Sequence, residues 1–441
     1  MGRALLTDLY ELNMASSYLR RGMTAPATFS LFVRNLPEDW GFLVACGLDR
    51  CLDFLEGFRF TDEDLAYLAN EQGYHEATLE AFANLRFTGS VRAVPEGRIV
   101  FADEPLLEVT APLPEAQLVE SYLLNQVTYQ TAVASKGARC RLAAPDASMV
   151  DFSFRRVHGA EAGLRVARAT AIVGFTATSN VEAARTLGLR ATGTMAHSYV
   201  EAFPSEIEAF RAFAEDFPDR VVLLVDTYDT AHGVRNAIEV AGELRRRGQH
   251  LTGIRLDSGD LARLAIEARR ALDEAGLEEV QIVASGGLDE HEIARLVSRG
   301  APIDAYGVGT KVGVAEDAPA VDSVYKLVEY ASEPVCKLSR RKATLPGPKQ
   351  VWRTPREDVI GLDSEEGPEE GEPLLVEVMK AGRRLDDGSI EAAAARFAAD
   401  LDALPHEVRS LRPAPYSVER TPALIQLASE VAERMRAREL A

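Results

Sequence analysis

Four short apolar runs between residues 221 and 313 each end in polar chemistry. Val221-Val-Leu-Leu-Val runs into Asp226-Thr-Tyr-Asp229, and Gly253-Ile-Arg255-Leu runs into Asp257-Ser-Gly-Asp260. Gln281-Ile-Val-Ala meets Ser285-Gly286-Gly287, and Ile303-Asp-Ala-Tyr meets Gly307-Val-Gly309-Thr310-Lys311. Amphipathic stretches such as Leu261-Ala-Arg-Leu-Ala-Ile-Glu-Ala-Arg-Arg separate them. Strand, polar loop and helix in repetition predict a parallel α/β sheet or barrel, whose catalytic groups gather at the C-terminal strand ends. The alternation begins near Met149. The expected fold class is α/β: an irregular (β/α) barrel core with an N-terminal α+β domain and a small C-terminal extension.

The flanking pattern differs. Residues 1–35 predict a short helix near Asp8 and a strand over 27–34, and residues 43–87 carry apolar groups at helical spacing. Residues 89–110 predict a β-meander turning at Pro95-Glu-Gly, and helical periodicity returns from Leu118 to about Leu142. Glu365-Glu-Gly-Pro-Glu-Glu-Gly-Glu-Pro373 reads as a charged linker or exposed loop, followed by a strand entering a hairpin over 374–384 and a closing helix over 422–438. The domains expected are 1–120 (helices plus meander), 121–345 (barrel) and 346–441 (extension).

Composition narrows the function classes. A net charge of −19 on 441 residues argues against nonspecific nucleic-acid or anionic-membrane binding. Cys46, Cys51, Cys140 and Cys336 are scattered, without C-x-x-C pairs or histidines at ligand spacing, so neither a zinc site nor a disulfide framework is expected. The N-terminal stretch lacks a long apolar region and no run approaches a membrane span. A cytoplasmic protein is expected.

Each candidate motif has a structural reading beside a chemical one. The clusters Ser285-Gly286-Gly287 and Gly307-Val-Gly309-Thr310 are either tight turns or a phosphate cradle. Their place on consecutive strand ends favours the cradle. Lys311 reads as a partner for the same anion or as a solvated lysine. Asp226, Asp229, Asp257 and Asp260 can bind Mg²⁺, hold ribose hydroxyls or face a developing cation, and aspartates before helices are also ordinary N-caps. Asp257, the first residue past an apolar strand and close to Arg255, is the stronger chemical candidate. In Asp151-Phe-Ser-Phe-Arg155-Arg156 the two arginines would face opposite ways on a strand, and Phe152 reads as a ring-stacking or a core residue. Of seven histidines, His197 alone sits in a strand-end motif, Gly193-Thr-Met-Ala-His197-Ser198. No G-x-S-x-G, Walker P-loop or strand-borne G-x-G-x-x-G occurs.

In order and spacing these motifs resemble those of the nicotinate phosphoribosyltransferases, type II phosphoribosyltransferases of NAD salvage. The resemblance covers about residues 5 to 340. It also takes in Thr7-Asp-Leu-Tyr10-Glu-Leu-Asn-Met, Phe29-Ser-Leu-Phe-Val-Arg34 and Tyr325-Lys-Leu-Val-Glu-Tyr330. It implies that nicotinate is joined to 5-phosphoribosyl-1-pyrophosphate, giving nicotinate mononucleotide and pyrophosphate. It further implies Mg²⁺ on the sugar substrate, and ATP as a co-substrate hydrolysed through a phosphohistidine on His197. Tyr10 and Phe152 would sandwich the pyridine ring with Arg155 beside it, Ser198 and Thr178 would join the substrate site, and Arg255 and Asp257 would sit by the ribose and pyrophosphate. Ser285, Gly286, Gly287, Gly307, Gly309 and Thr310 would hold the 5′-phosphate. The resemblance implies a homodimer with active sites at the interface, Tyr10 and Arg34 being candidates for loan to the partner. No residue is assigned as a metal ligand.

Nicotinamide phosphoribosyltransferase is the near rival. That family places an aspartate where Gly174-Phe-Thr-Ala-Thr-Ser-Asn-Val181 offers Thr178, Ser179 and Asn180 but no acid, so a carboxylate substrate fits better. Quinolinate phosphoribosyltransferase is more distant. A phosphosugar aldolase or isomerase often relies on a Schiff-base lysine, and no strand supplies a convincing buried one; a non-catalytic phosphoribosyl-binding protein is the last alternative.

Overall fold

The four apolar runs become strands of a six-stranded, wholly parallel sheet. In this computed structural model the described residues are 4–339 and 344–440; the first three residues of the stretch read above for an export signal lie outside them. Numbered in chain order, the parallel strands are β1 (Ser148–Asp151), β2 (Ala177–Thr178), β3 (Val222–Leu224), β4 (Gly253–Leu256), β5 (Gln281–Ser285) and β6 (Ala305–Val308). They lie in the order β2-β1-β6-β5-β4-β3, a half-barrel. Ile254, Leu256, Ile282, Ala284 and Val308 are fully buried, as expected of parallel strands covered on both faces.

The chain forms two compact units, residues 133–319 and residues 1–132 with 320–441. In the first, the helices Thr230–Arg246, Leu261–Glu274 and Glu290–Ser298 return the chain between strands. Asp229, Asp260 and Asp289 cap them, accepting from the amides of His232, Arg263 and Glu292 at 2.8, 3.4 and 2.8 Å. Asp229 and Asp260 therefore take the N-cap reading, and Asp260 also pairs with Arg299 at 2.8 Å. Glu290, with no exposed surface, meets Lys136 at 2.7 Å and Arg139 at 2.8 Å. Buried and paired on two sides, it anchors the helix that follows the Ser285-Gly286-Gly287 turn.

The second unit is built on a seven-stranded sheet. Within it Pro26–Val33 runs antiparallel to both Pro105–Pro112, the central strand, and Ser323–Tyr330. Ser90–Ala93 pairs with Pro105–Pro112, and Val376–Lys380 adds to its other side, so the strand expected at the start of a C-terminal extension completes the N-terminal sheet. Val91 and Met379, both buried, share that seam. The expected meander is broken in the middle: Ile99–Val100 pairs with Leu43–Val44, outside the large sheet. Helices form at Leu9–Arg20, Leu48–Glu56, Asp62–Asn70, Glu76–Asn84 and Pro422–Leu440, in the places the spacing predicts. The acidic loop is anchored at both ends. Glu365 accepts from the Leu362 amide (2.6 Å) and the Thr421 hydroxyl (2.8 Å), and Glu372 pairs with Arg98 at 2.7 Å. Among the described residues no helix is long and apolar enough to cross a membrane.

The turn at Pro95-Glu-Gly forms because Gly97 adopts φ +87°, and a Cβ there would stand 1.9 Å from the Ala393 carbonyl oxygen. Gly97→Ala combines a left-handed backbone with a backbone clash, so a cost of about 3 kcal/mol is expected, read as a lower urea midpoint. A midpoint equal to the parent's would mean that the helix Ile390–Ala403 can move aside.

Candidate active site

Arg255 and Asp257 close strand β4, and Ser285 ends the neighbouring β5. The guanidinium of Arg255 donates through Nε to Ser285 Oγ at 2.7 Å and through NH2 to Asp257 Oδ1 at 2.6 Å. Its NH1 reaches Thr194 Oγ1 and the Met195 carbonyl at 3.2 and 3.3 Å, which ties down the segment leading into His197. Ser285 in turn donates to Asp257 Oδ1 at 2.5 Å. Burial acts to raise the Asp257 carboxyl, but the Ser285 hydroxyl and the Arg255 charge outweigh it and hold the group below its ordinary range. Both contacts fall on Oδ1, so among the described residues Oδ2 stays available to a substrate.

The neighbouring strand end carries Asp226. Its Oδ2 accepts from the Asp257 amide (2.9 Å) and the Ser258 hydroxyl (2.7 Å), while Oδ1 is buried without a partner among the described residues. Thr227 follows, and its hydroxyl lies 3.2 Å from His197 Nδ1. His197 opens a short helix, His197–Glu201, half-buried, with Ser198 exposed beside it. Asp226 was legible as the first polar residue after an apolar run. Thr227 as the partner of a histidine thirty positions earlier was not.

The glycines make room rather than contacts. Gly286 adopts φ +96°, and a Cβ there would fall 2.0 Å from the Asp257 carbonyl oxygen, so the β5 turn lies directly on the β4 loop. A Cβ on Gly307 would meet the Phe152 ring at 2.4 Å, so that ring lies flat against β6. The ring also lies 5.5 Å from the Arg255 guanidinium carbon, within cation–π range. Gly287, Gly309 and Thr310 complete the two loops. Lys311 is partly exposed and pairs with Asp289 at 2.6 Å, so its charge is already met within the protein.

At the end of β1, Asp151 is buried and accepts from Ser153 N at 2.9 Å, Ser153 Oγ at 2.5 Å and Thr178 Oγ1 at 2.7 Å. The Thr178 hydroxyl is thus spent on Asp151 and is itself buried. Arg155 and Arg156 do not face opposite ways on a strand. The strand stops at Asp151, and both arginines sit exposed on a 3₁₀ turn, Phe154–Arg156. The Asp151–Ser153 contact bends the chain there, which residue spacing alone does not reveal.

The structure therefore brings Arg255, Asp257, Ser285, Gly286, Phe152 and Gly307 into one contact network, and links the segment before His197 to it. Tyr10 and Arg34 belong to the other compact unit. Tyr10 is half-exposed; burial of its hydroxyl, then Glu120 and Glu11 beside it, push its titration up. Arg34 pairs with Asp322 at 3.3 Å.

Two family models match the chain: the nicotinate phosphoribosyltransferase N-terminal domain over residues 5–128 and the nicotinate phosphoribosyltransferase family over residues 147–344. A nicotinate phosphoribosyltransferase of Mycobacterium tuberculosis is 46% identical over 421 residues, covering 94% of this chain and 90% of its own. One from Bacillus subtilis is 47% identical over 358 residues, covering 79% and 73%. The crystal structure of human nicotinic acid phosphoribosyltransferase superposes with a TM-score of 0.86 at 30% identity, over 96% of this chain and 99% of that one.

The lowered Asp257 carboxyl has a stability consequence. A carboxylate held below its unfolded value contributes stability that is present above about pH 4 and is lost as pH falls through the folded value. Ser285→Ala removes one of the two groups that lower it. The gap in thermal midpoint between parent and variant is expected to be wider near pH 7 than near pH 3. An identical gap at both pH values would show that the serine does not hold the carboxylate.

Proposed function

The chain belongs to the nicotinate phosphoribosyltransferase family, and we propose that it joins nicotinate to 5-phosphoribosyl-1-pyrophosphate in NAD salvage while hydrolysing ATP through a phosphohistidine on His197. The observation that carries the coupling is the 3.2 Å contact between His197 Nδ1 and the Thr227 hydroxyl. In the tautomer that donates from Nδ1 to Thr227, Nε2 keeps its lone pair and can attack the terminal phosphorus of ATP. The P–O bond to ADP breaks as the N–P bond forms, and water later returns the phosphoryl group as phosphate.

The reaction at the sugar breaks the bond between C1 and pyrophosphate while the pyridine nitrogen forms its bond to C1. Positive charge develops on the ribose as pyrophosphate departs. Asp257, ionised and facing substrate with Oδ2, stabilises that charge or holds the hydroxyls, and the charge of Arg255, whose nitrogens are already bonded within the protein, attracts the departing anion. The backbone amides of Ser285-Gly286-Gly287 and Gly307-Val-Gly309-Thr310 hold the 5′-phosphate. Phe152 stacks on the pyridine with Arg155 near it and Ser198 alongside, while Thr178, buried, acts only by holding Asp151. Tyr10 covers the other ring face and Arg34 adds a cation, both supplied by the partner in a homodimer.

Mg²⁺ fits a site of this kind. Among the described residues no group of three or more histidines, cysteines or carboxylates could hold a resident ion. The unpartnered Asp226 Oδ1 suits an ion that arrives on the sugar diphosphate and keeps most of its ligands. Asp226 would hold it, and the ion would supply charge neutralisation to pyrophosphate.

Preference for nicotinate over nicotinamide is supported by residues 174–181, which carry no acid; Asn180 there keeps an amide donor buried without a partner among the described residues. A kcat/KM ratio of at least ~100 in favour of nicotinate is expected, because a site built for a charged acceptor rejects its neutral analogue. Comparable values for the two would overturn it. With γ-labelled ATP the protein should acquire an acid-labile, base-stable label, absent from His197→Ala, whose rate falls to the ATP-free level. A label that persists in that variant removes His197 from the role.

A further inference from the structure

A polar cleft of about 500 Å³ opens on the unit that carries the N-terminal helix, lined by Asn13, Ser17, Arg20, Arg21, Tyr74 and His75 among others. Its lining holds two arginines and a histidine and no carboxylate, in a chain with 68 acidic and 49 basic residues. Several other arginines of the same unit have found acids: Arg384 meets Asp49 at 2.8 Å, Arg420 meets Asp103 at 2.9 Å and Arg434 meets Glu333 at 3.4 Å. Among the described residues Arg20 and Arg21 have no such partner. We propose that this cleft binds a small phosphate-bearing anion through Arg20, Arg21 and His75.

The obvious structural job for the two arginines is already filled. Basic residues often end a helix to satisfy its last carbonyls. Here the amides of Arg21, Gly22 and Met23 take the carbonyls of Ser17, Tyr18 and Leu19 at 2.9–3.2 Å, so the helix closes on its own backbone. Across the cleft, His75 is the N-cap of the helix Glu76–Asn84; its side chain makes no cap and is left to the cleft, while Glu76 occupies the first turn of that helix.

The walls are set in advance. Tyr74 donates its hydroxyl to Asn13 Oδ1 at 2.7 Å, its amide bonds the Leu68 carbonyl at 3.1 Å, and its ring lies against Phe82 at 6.1 Å. Below them Ser16 and Thr78 share a buried hydroxyl contact at 3.1 Å. A cleft of this volume suits a phosphorylated metabolite rather than a chain of nucleotides, and guanidinium forks match phosphate oxygens two at a time. Arg20 lies ten residues along its helix from Tyr10, about 15 Å away, while Asn13 at the near wall of the cleft is one turn from that tyrosine.

Hydrogen exchange of the full chain tests the assignment, with inorganic pyrophosphate as the probe at matched ionic strength. Backbone amides over residues 14–22 and 70–79 should slow, and the half-protecting concentration should rise at least ~10-fold in Arg20→Gln/Arg21→Gln. Peptides spanning 285–310 report separately on the proposed catalytic phosphate loops and should respond alike in both proteins. Parallel titrations with phosphate and AMP separate an inorganic from a nucleotide source by which protects at the lower concentration. No slowing at 14–22 and 70–79, or slowing that survives the double substitution or follows salt alone, overturns the proposal.

Discussion

One guanidinium holds the strand-end region together. Arg255 is largely buried, and its three nitrogens are committed to Ser285, Asp257 and the Thr194–Met195 segment. A buried charge survives only when its donors are met, and here the acceptors come from three separate stretches of chain. The positions of the acid, of the β5 turn and of the approach to His197 are thus consequences of one side chain. Lysine would carry the same charge but not the planar fork, so it could satisfy at most part of the set.

That arrangement needs backbone segments closer than side chains allow. Gly286 sits on the Asp257 carbonyl and Gly307 against the Phe152 ring. The two contacts convert glycine from a turn former into a spacer, since a Cβ at either position would collide with the segment packed against it. Glu290, wedged between Lys136 and Arg139, fixes the helix that follows the first of these loops. Rigidity at the loops thus comes from charges buried beneath them.

How much of this was written in the residue order depends on distance along the chain. Asp226, Asp257 and Ser285 each end an apolar run, so their strand-end positions, and the α/β class itself, follow from local pattern. A cap and a candidate site aspartate look alike from sequence, because both follow a strand and precede a helix; only the contacts of Asp229 and Asp260 separate them from Asp257. Pairing of Val376–Lys380 with Ser90–Ala93 spans about two thirds of the chain and leaves no local trace. Arg155 was misread for a subtler reason. Aromatic and β-branched residues from Met149 to Phe154 favour extension, and a single hydrogen-bonded bend at Asp151–Ser153 overrides them.

The charge balance then acquires a meaning that composition alone did not supply. A chain of net charge −19 repels polyanions at long range, but physiological salt screens beyond about 8 Å. Under the proposed activity a sugar diphosphate would be recognised at contact distance, by short-range donors on the strand-end scaffold. Steering by a broad basic surface would speed encounter without telling one phosphate ester from another. Short-range donors on a fixed scaffold do the opposite. An acidic protein with a few locked cations is in this respect better suited to selecting one phosphorylated metabolite than a basic one would be.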